Sequence, residues 1–131
     1  DRIGGGEILV APGDHHLEVS RFAGGRIRVG LDDGPQIHGV RPAADPLFES
    51  AADVITGPLV GVVLTGMGRD AAAGVEAVSR AGGHVIAQDE ETSAVYGMPG
   101  SAVETGCVDD VVALDDVADA IVDAVGRRTS A

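Results

Sequence analysis

Residues 59–83, LVGVVLTGMGRDAAAGVEAVSRAGG, decide how the rest of the chain is read. They open as an apolar, β-branched run over 60–64, of the kind found in the middle of a parallel sheet. The run breaks at Thr65-Gly66-Met67-Gly68, and from Asp70 to Arg80 the alanine-rich spacing predicts a helix. Ala73, Ala77 and Val78 would face the sheet, and Ala81-Gly82-Gly83 supplies a helix stop. Strand, glycine turn and helix together place backbone N–H groups and one carboxylate, Asp70, at the C-terminal edge of a sheet. Open α/β sheets bind their ligands at that edge.

On the N-terminal side the pattern is β. Residues 7–11 read as a short strand closed by Pro12-Gly13-Asp14. The alternating runs 16–20 and 26–31, joined through Ala23-Gly24-Gly25, predict an antiparallel hairpin with one wet face. Asp45 before Pro46 fits a helix N-cap followed by first-turn proline. Leu47, Phe48, Ala51, Val54 and Ile55 then share one face, and Gly57-Pro58 ends that helix.

On the C-terminal side, residues 84–87 form a second parallel strand and a short helix has Pro99 in its first turn, ended by Gly106. A third strand covers 108–114. The last helix, 115–125, carries Val117, Ala118, Ile121, Val122 and Val125 on one stripe, and Gly126-Arg127-Arg128 closes it. The fold class is therefore α/β: a doubly wound, mostly parallel, Rossmann-like three-layer sheet with an antiparallel hairpin. Three parallel strands are few for such a sheet and leave an open edge, so the chain is expected to be part of a larger domain and to associate with itself or with the remainder.

Composition narrows the function. A chain of 131 residues is the size of one domain, and 44% hydrophobic content is enough to fold it. The aromatics are only Phe22, Phe48 and Tyr96, so the core is built from Val, Ala, Ile and Leu, as in α/β layering. The net charge is −12, with nine basic residues that are all arginine. Such a surface repels phosphate backbones and excludes nucleic acid as the expected partner. The lysine-free, Asp-rich balance suits a salt-loving or GC-rich microbial source, since ~1 M salt screens self-repulsion to a Debye length of ~3 Å. Cys107 is the one cysteine, which rules out an internal disulfide, suits the cytoplasm and reads as a small buried thiol. No leader is visible, nor an apolar run near the ~18 residues a membrane helix needs, so no membrane insertion is expected.

Several chemistries can be weighed on the residues. Gly66-x-Gly68 after a strand, with Asp89 ending the next, imitates a dinucleotide site. However, Gly74 comes too late for GxGxxG, and Asp70 would face the pyrophosphate. His15 and His16 are adjacent and read as solvated; His38 and His84 have no helpful acid spacing, His84 reading as a core-edge residue, and no metal is expected. Hydrolysis needs nucleophile, base and orienting acid. Asp70 fits the acid, because a helix dipole favours an anion there, and the amides near Met67 and Gly68 could face a developing oxyanion. An ordinary N-cap worth about 1 kcal/mol is the alternative role for Asp70. None of the serines lies in a GxSxG turn.

LTGMGRDAAAG followed by AQDEETSAVYGMPGSAVETG, with ILVAPGDHHLEV and GVRPAADPLFESAA in the same order, resembles the catalytic domain of the chemotaxis protein-glutamate methylesterases (CheB-type). The likeness runs from about residue 7 to 125. It implies a parallel α/β serine hydrolase without a cofactor, which demethylates methyl-accepting chemotaxis receptors within the chemotaxis signalling complex and often deamidates their glutamines. In the family's Ser-His-Asp triad the aspartate of LTGMG-x-D falls on Asp70, and the Gly66-Met67-Gly68 turn on the oxyanion site. The family's serine and histidine precede the ILVAPG segment, so residues 1–131 are expected to be the C-terminal portion of one methylesterase domain, inactive alone. Ala43 stands where the family usually has serine, and Ala71 where glycine often follows the aspartate. A non-catalytic nucleotide-binding module, which a dinucleotide would protect from unfolding, and a receptor-docking module indifferent to Asp70 are the competing readings.

Overall fold

The computed structural model describes residues 5–22, 26–37, 40–55 and 58–129. The first regular element pair is the expected hairpin: β1 (His16–Phe22) pairs antiparallel with β2 (Arg26–Asp32), placing Val19 opposite Val29. Its glycine turn lies outside the described residues, as do His38 and Gly57. Helix α1 (Ala44–Val54) packs against β1. There the Val19 amide donates to Ser50 Oγ at 2.9 Å, and that hydroxyl donates to the Leu47 carbonyl.

A parallel α/β layer follows. Strand β3 (Val60–Val63) leads through α2 (Ala72–Arg80) to β4 (His84–Gln88). Helix α3 (Gly97–Glu104), strand β5 (Asp110–Val112), a 3-10 turn over Leu114–Asp116 and α4 (Val117–Thr129) complete it. All three strands are parallel, in the order β3-β4-β5. Register places Gly61 beside Val85 and Val63 beside Ala87 on one face. Val63 and Val85 join Ala71, Val75 and Val78 of the α2 segment and Ala102 of α3 in one core, flanked by Phe48, Met98 and Cys107. The Phe48 ring fits because two small residues lie beneath it: a Cβ at Gly74 would come within 2.5 Å of Phe48 Cβ, and one at Gly61 within 3.1 Å of the ring. The α2 helix ends as its Ala-Gly-Gly sequence predicts, with Gly82 N–H donating to Ser79 and Gly83 N–H to Val78.

The structure corrects several expectations. Residues 7–11 form no strand: nothing described pairs with them, and Ile8 and Val10 stay 92% and 85% exposed. Apolar alternation specifies a strand only where a neighbour completes the hydrogen bonds. Among the described residues β3 pairs only with β4, so His84–Gln88 and not the 60–64 run holds the middle; Val85, Ile86, Ala87 and Gln88 are fully buried. The third strand shrinks to Asp110–Val112. Asp45 is not the cap of α1 but lies inside its first turn, with Ala43 at the N-cap position. On α2, Ala73 is exposed, and Val75 and Val78 face inward. On α4, Val117 and Ala124 are buried while Val122 and Val125 are 69% and 42% exposed. The helix is turned onto the stripe whose alanine permits close approach, and it runs through Gly126.

Candidate active site

The site is the loop between β3 and α2, and its shape follows from what holds it. The Thr65 amide donates to Oε1 of the fully buried Gln88 at 2.8 Å. Gln88 Nε2 in turn donates to the Thr92 carbonyl, and Thr65 Oγ1 both donates to the Val95 carbonyl and accepts the Val95 amide. Gly66 N–H reaches the Val95 carbonyl as well, and its own carbonyl accepts Met98 N–H at 2.9 Å. The loop is thereby clamped to residues 92–98. Gly97 allows the approach: a Cβ there would stand 2.8 Å from the Gly68 nitrogen and 2.9 Å from its carbonyl oxygen. Met67 projects from the turn, 81% exposed. The amides of Met67 and Gly68 donate to no acceptor among the described residues.

Asp70 is the polar centre. It is 6% exposed and is not the cap of α2, which begins at Ala72. Its carboxylate crosses to the other helix. Oδ2 accepts the Ala44 amide, and Oδ1 accepts the Asp45 amide at 3.1 Å and the Ala71 amide at 3.0 Å. Both the expected helix cap and a fixed orientation are therefore present, but the capped helix is α1. The reciprocal contact closes the junction, because Asp45 Oδ1 accepts the Gly74 amide of α2 at 2.8 Å. That carboxylate occupies the first turn of α2, where a dinucleotide's pyrophosphate would have to lie. Asp89, the other half of the dinucleotide imitation, is engaged by Thr92 through its amide at 2.9 Å and its hydroxyl at 2.6 Å. Those two bonds, the hydroxyl first, hold the Asp89 carboxyl below its usual pKa.

Ala71, where the resemblance leads one to expect glycine, stands in a backbone conformation that glycine adopts without strain. It has φ 85°, the left-handed region, while its methyl is fully buried in the core. Two cavities border the turn. One, of about 370 Å³, is mostly apolar, with Leu17, Val40, Leu47, Met67 and Met98 around Asp70. The other, of about 620 Å³ and open to solvent, is lined by Gly68, Arg69, Gly97 and Ser101.

His16 and His84 are used structurally. His16 is not solvated but 2% exposed; Nε2 faces the Pro35 carbonyl at 2.8 Å and Nδ1 faces the Ala43 amide at 3.2 Å. No periodicity signals this role, since both partners are distant in sequence. His15 remains at the surface against Asp33. His84 lies at the start of β4, its Nε2 2.7 Å from Asp110 Oδ2, as fits a core-edge residue. No group of three metal-ligating side chains occurs among the described residues, nor a helix long and apolar enough to cross a membrane.

The family model for CheB methylesterases matches residues 1–121. A protein-glutamate methylesterase/protein-glutamine glutaminase of Halobacterium salinarum is 58% identical over 98% of this chain, which covers 37% of that relative. One of Pyrococcus horikoshii is 52% identical over 92%, covering 32% of its length. The crystal structure of the Thermotoga maritima CheB methylesterase catalytic domain superposes with a TM-score of 0.82 at 38% identity, over 86% of this chain and 59% of that one. The chain thus spans well under half the length of the curated relatives it matches. By family match, sequence identity and fold, this chain belongs to the CheB methylesterase family.

Proposed function

We propose that this chain supplies the acid and the oxyanion turn of a protein-glutamate methylesterase that demethylates chemotaxis receptors and deamidates their glutamines. The observation that carries this is Asp70: a buried carboxylate pinned by three backbone amides at the wall of an apolar cavity, next to a turn whose Met67 and Gly68 amides meet no acceptor among the described residues. A carboxylate held that rigidly orients an imidazole N–H without moving, and Oδ2, which accepts one amide, has a second acceptor position for it. The Met67 and Gly68 amides are the donors for the tetrahedral oxyanion. Serine attack on the ester carbonyl, with the histidine taking the serine proton and then protonating departing methanol, gives an acyl-enzyme that water hydrolyses. Residues 1–131 act as the C-terminal portion of the catalytic domain, with serine and histidine contributed from outside them. On this reading the chain is inactive alone.

The test is methanol release from methylated receptor by the chain extended upstream, with wild-type Asp70 and with Asp70→Asn. Asparagine is nearly isosteric and removes the carboxylate charge, but its Nδ2 must face the backbone N–H of Ala44 or those of Asp45 and Ala71, so circular dichroism and a urea midpoint first establish that the variant is folded. A fall of about 10⁴ in kcat supports the reading. Unchanged release from the folded variant removes Asp70 from the chemistry, and no release from the wild type points to a binding module.

A further inference from the structure

We propose that Arg69, with Ser101 beside it, receives a carboxylate of the substrate polypeptide in the open cavity that borders the active-site turn. The inference rests on the methylesterase reading, and adds to it which side chains near the modified glutamate are preferred.

The charge pattern motivates it. The chain carries 21 acids against nine arginines, yet the residues lining this cavity, Gly68, Arg69, Gly97 and Ser101, include one cation and no acid. Arg69 is exposed, and its guanidinium meets no acceptor among the described residues. Arg41 illustrates the contrast: its Nη2 is 2.7 Å from Asp14, and its Nη1 donates to the Gly34 carbonyl. The first turn of α3 offers little to an anion, because Met98 N–H is spent on Gly66, Gly100 N–H on Tyr96, and Pro99 has none. Donors on the lining residues include the Arg69 guanidinium fork, the Ser101 hydroxyl and the unspent Gly68 amide, a set that matches a carboxylate in two-pronged geometry. Position gives the site its meaning, since Arg69 immediately precedes Asp70 and follows the turn amides. A substrate segment with its ester at that turn passes this cavity within a few residues. On a surface of net charge −12, one local cation also sets the register of an acidic segment that the rest of the protein repels.

The experiment uses the full-length protein and two series of synthetic peptides, each peptide with one glutamyl γ-methyl ester. One series carries a single glutamate at each of the four positions on either side of the ester; the other carries glutamine there. Affinity is read by fluorescence anisotropy, and methanol release is followed separately. We expect one or two positions at which glutamate binds about tenfold tighter than glutamine, a preference that weakens with salt. Arg69→Gln should bring that ratio close to one, Arg69→Lys should leave part of it, and Ser101→Ala should reduce it less. Equal binding of the two series, or a ratio untouched by Arg69→Gln in a protein with native circular dichroism, overturns the proposal. Absence of methanol release with the acid preference intact would instead overturn the esterase reading alone.

Discussion

Asp45 and Asp70 cap each other's helices: Asp70 accepts the amides of Ala44 and Asp45 at the start of α1, and Asp45 accepts the Gly74 amide at the start of α2. Both carboxylates are buried, at 3% and 6% exposure, so neither set of amides has water as a substitute. The residue proposed for catalysis is thus also a structural one.

Asp70→Ala is expected to lower stability by about 3 kcal/mol, from a lost cap plus buried unsatisfied amides, and Asp45→Ala by about 2 kcal/mol. Because both act on one helix junction, the double variant should cost less than the sum. Urea unfolding midpoints measure this. Additive losses would mean that the two caps are independent.

Gly97→Ala places a methyl 2.8 Å from the Gly68 nitrogen and must displace the turn. We expect a loss of about 1–3 kcal/mol. Amide shifts in a heteronuclear NMR spectrum should change most at Gly66, Met67 and Gly68. Shifts confined to α3 would show that the helix yields instead.

Ala71 opposes strain to packing. Glycine would relieve a left-handed alanine costing about 1–2 kcal/mol, but it removes a buried methyl worth about 0.8 kcal/mol and loosens the unfolded chain. Ala71→Gly should therefore be neutral within about 1 kcal/mol. Ala71→Val, β-branched at φ 85° and overpacked, should cost more than about 2 kcal/mol. Thermal melts of the pair check the contrast.

His16 must carry its proton on Nε2, because Nδ1 accepts the Ala43 amide. Nitrogen-15 shifts of the ring should report that neutral tautomer, and His16→Ala should cost about 2–3 kcal/mol by leaving buried partners unsatisfied. A proton found on Nδ1 would contradict the Ala43 bond.

Asp89 should titrate by NMR below the unfolded carboxylate value of about 3.9, the Thr92 hydroxyl being the main cause and its amide the second. A depressed folded value means its contribution to stability is complete above the unfolded value and disappears as pH falls through the folded one. Thr92→Val should move the titration upward, whereas an unmoved Asp89 would place the cause elsewhere.

Periodicity and turn chemistry located most of the elements within a few residues. The hairpin, the Gly82-Gly83 stop and the Pro99 helix all depend on neighbours close in the chain. The misjudged features depended on partners elsewhere. The 7–11 run reads as a strand but has no ladder among the described residues, and α4 carries two apolar stripes between which only packing chooses. His16 looked solvated because its two partners, Pro35 and Ala43, are 19 and 27 positions away.

By itself, then, the sequence determined the α/β element order, the family, and the placing of Asp70 at the end of a strand behind a glycine turn. Those follow from local spacing and from a motif that needs no partner to be recognised. Only the tertiary structure decided what the carboxylate holds. Its ties to Ala44 and Asp45 span 26 and 25 positions and form only once α1 and α2 meet over Gly74, where the missing side chain lets their backbones approach.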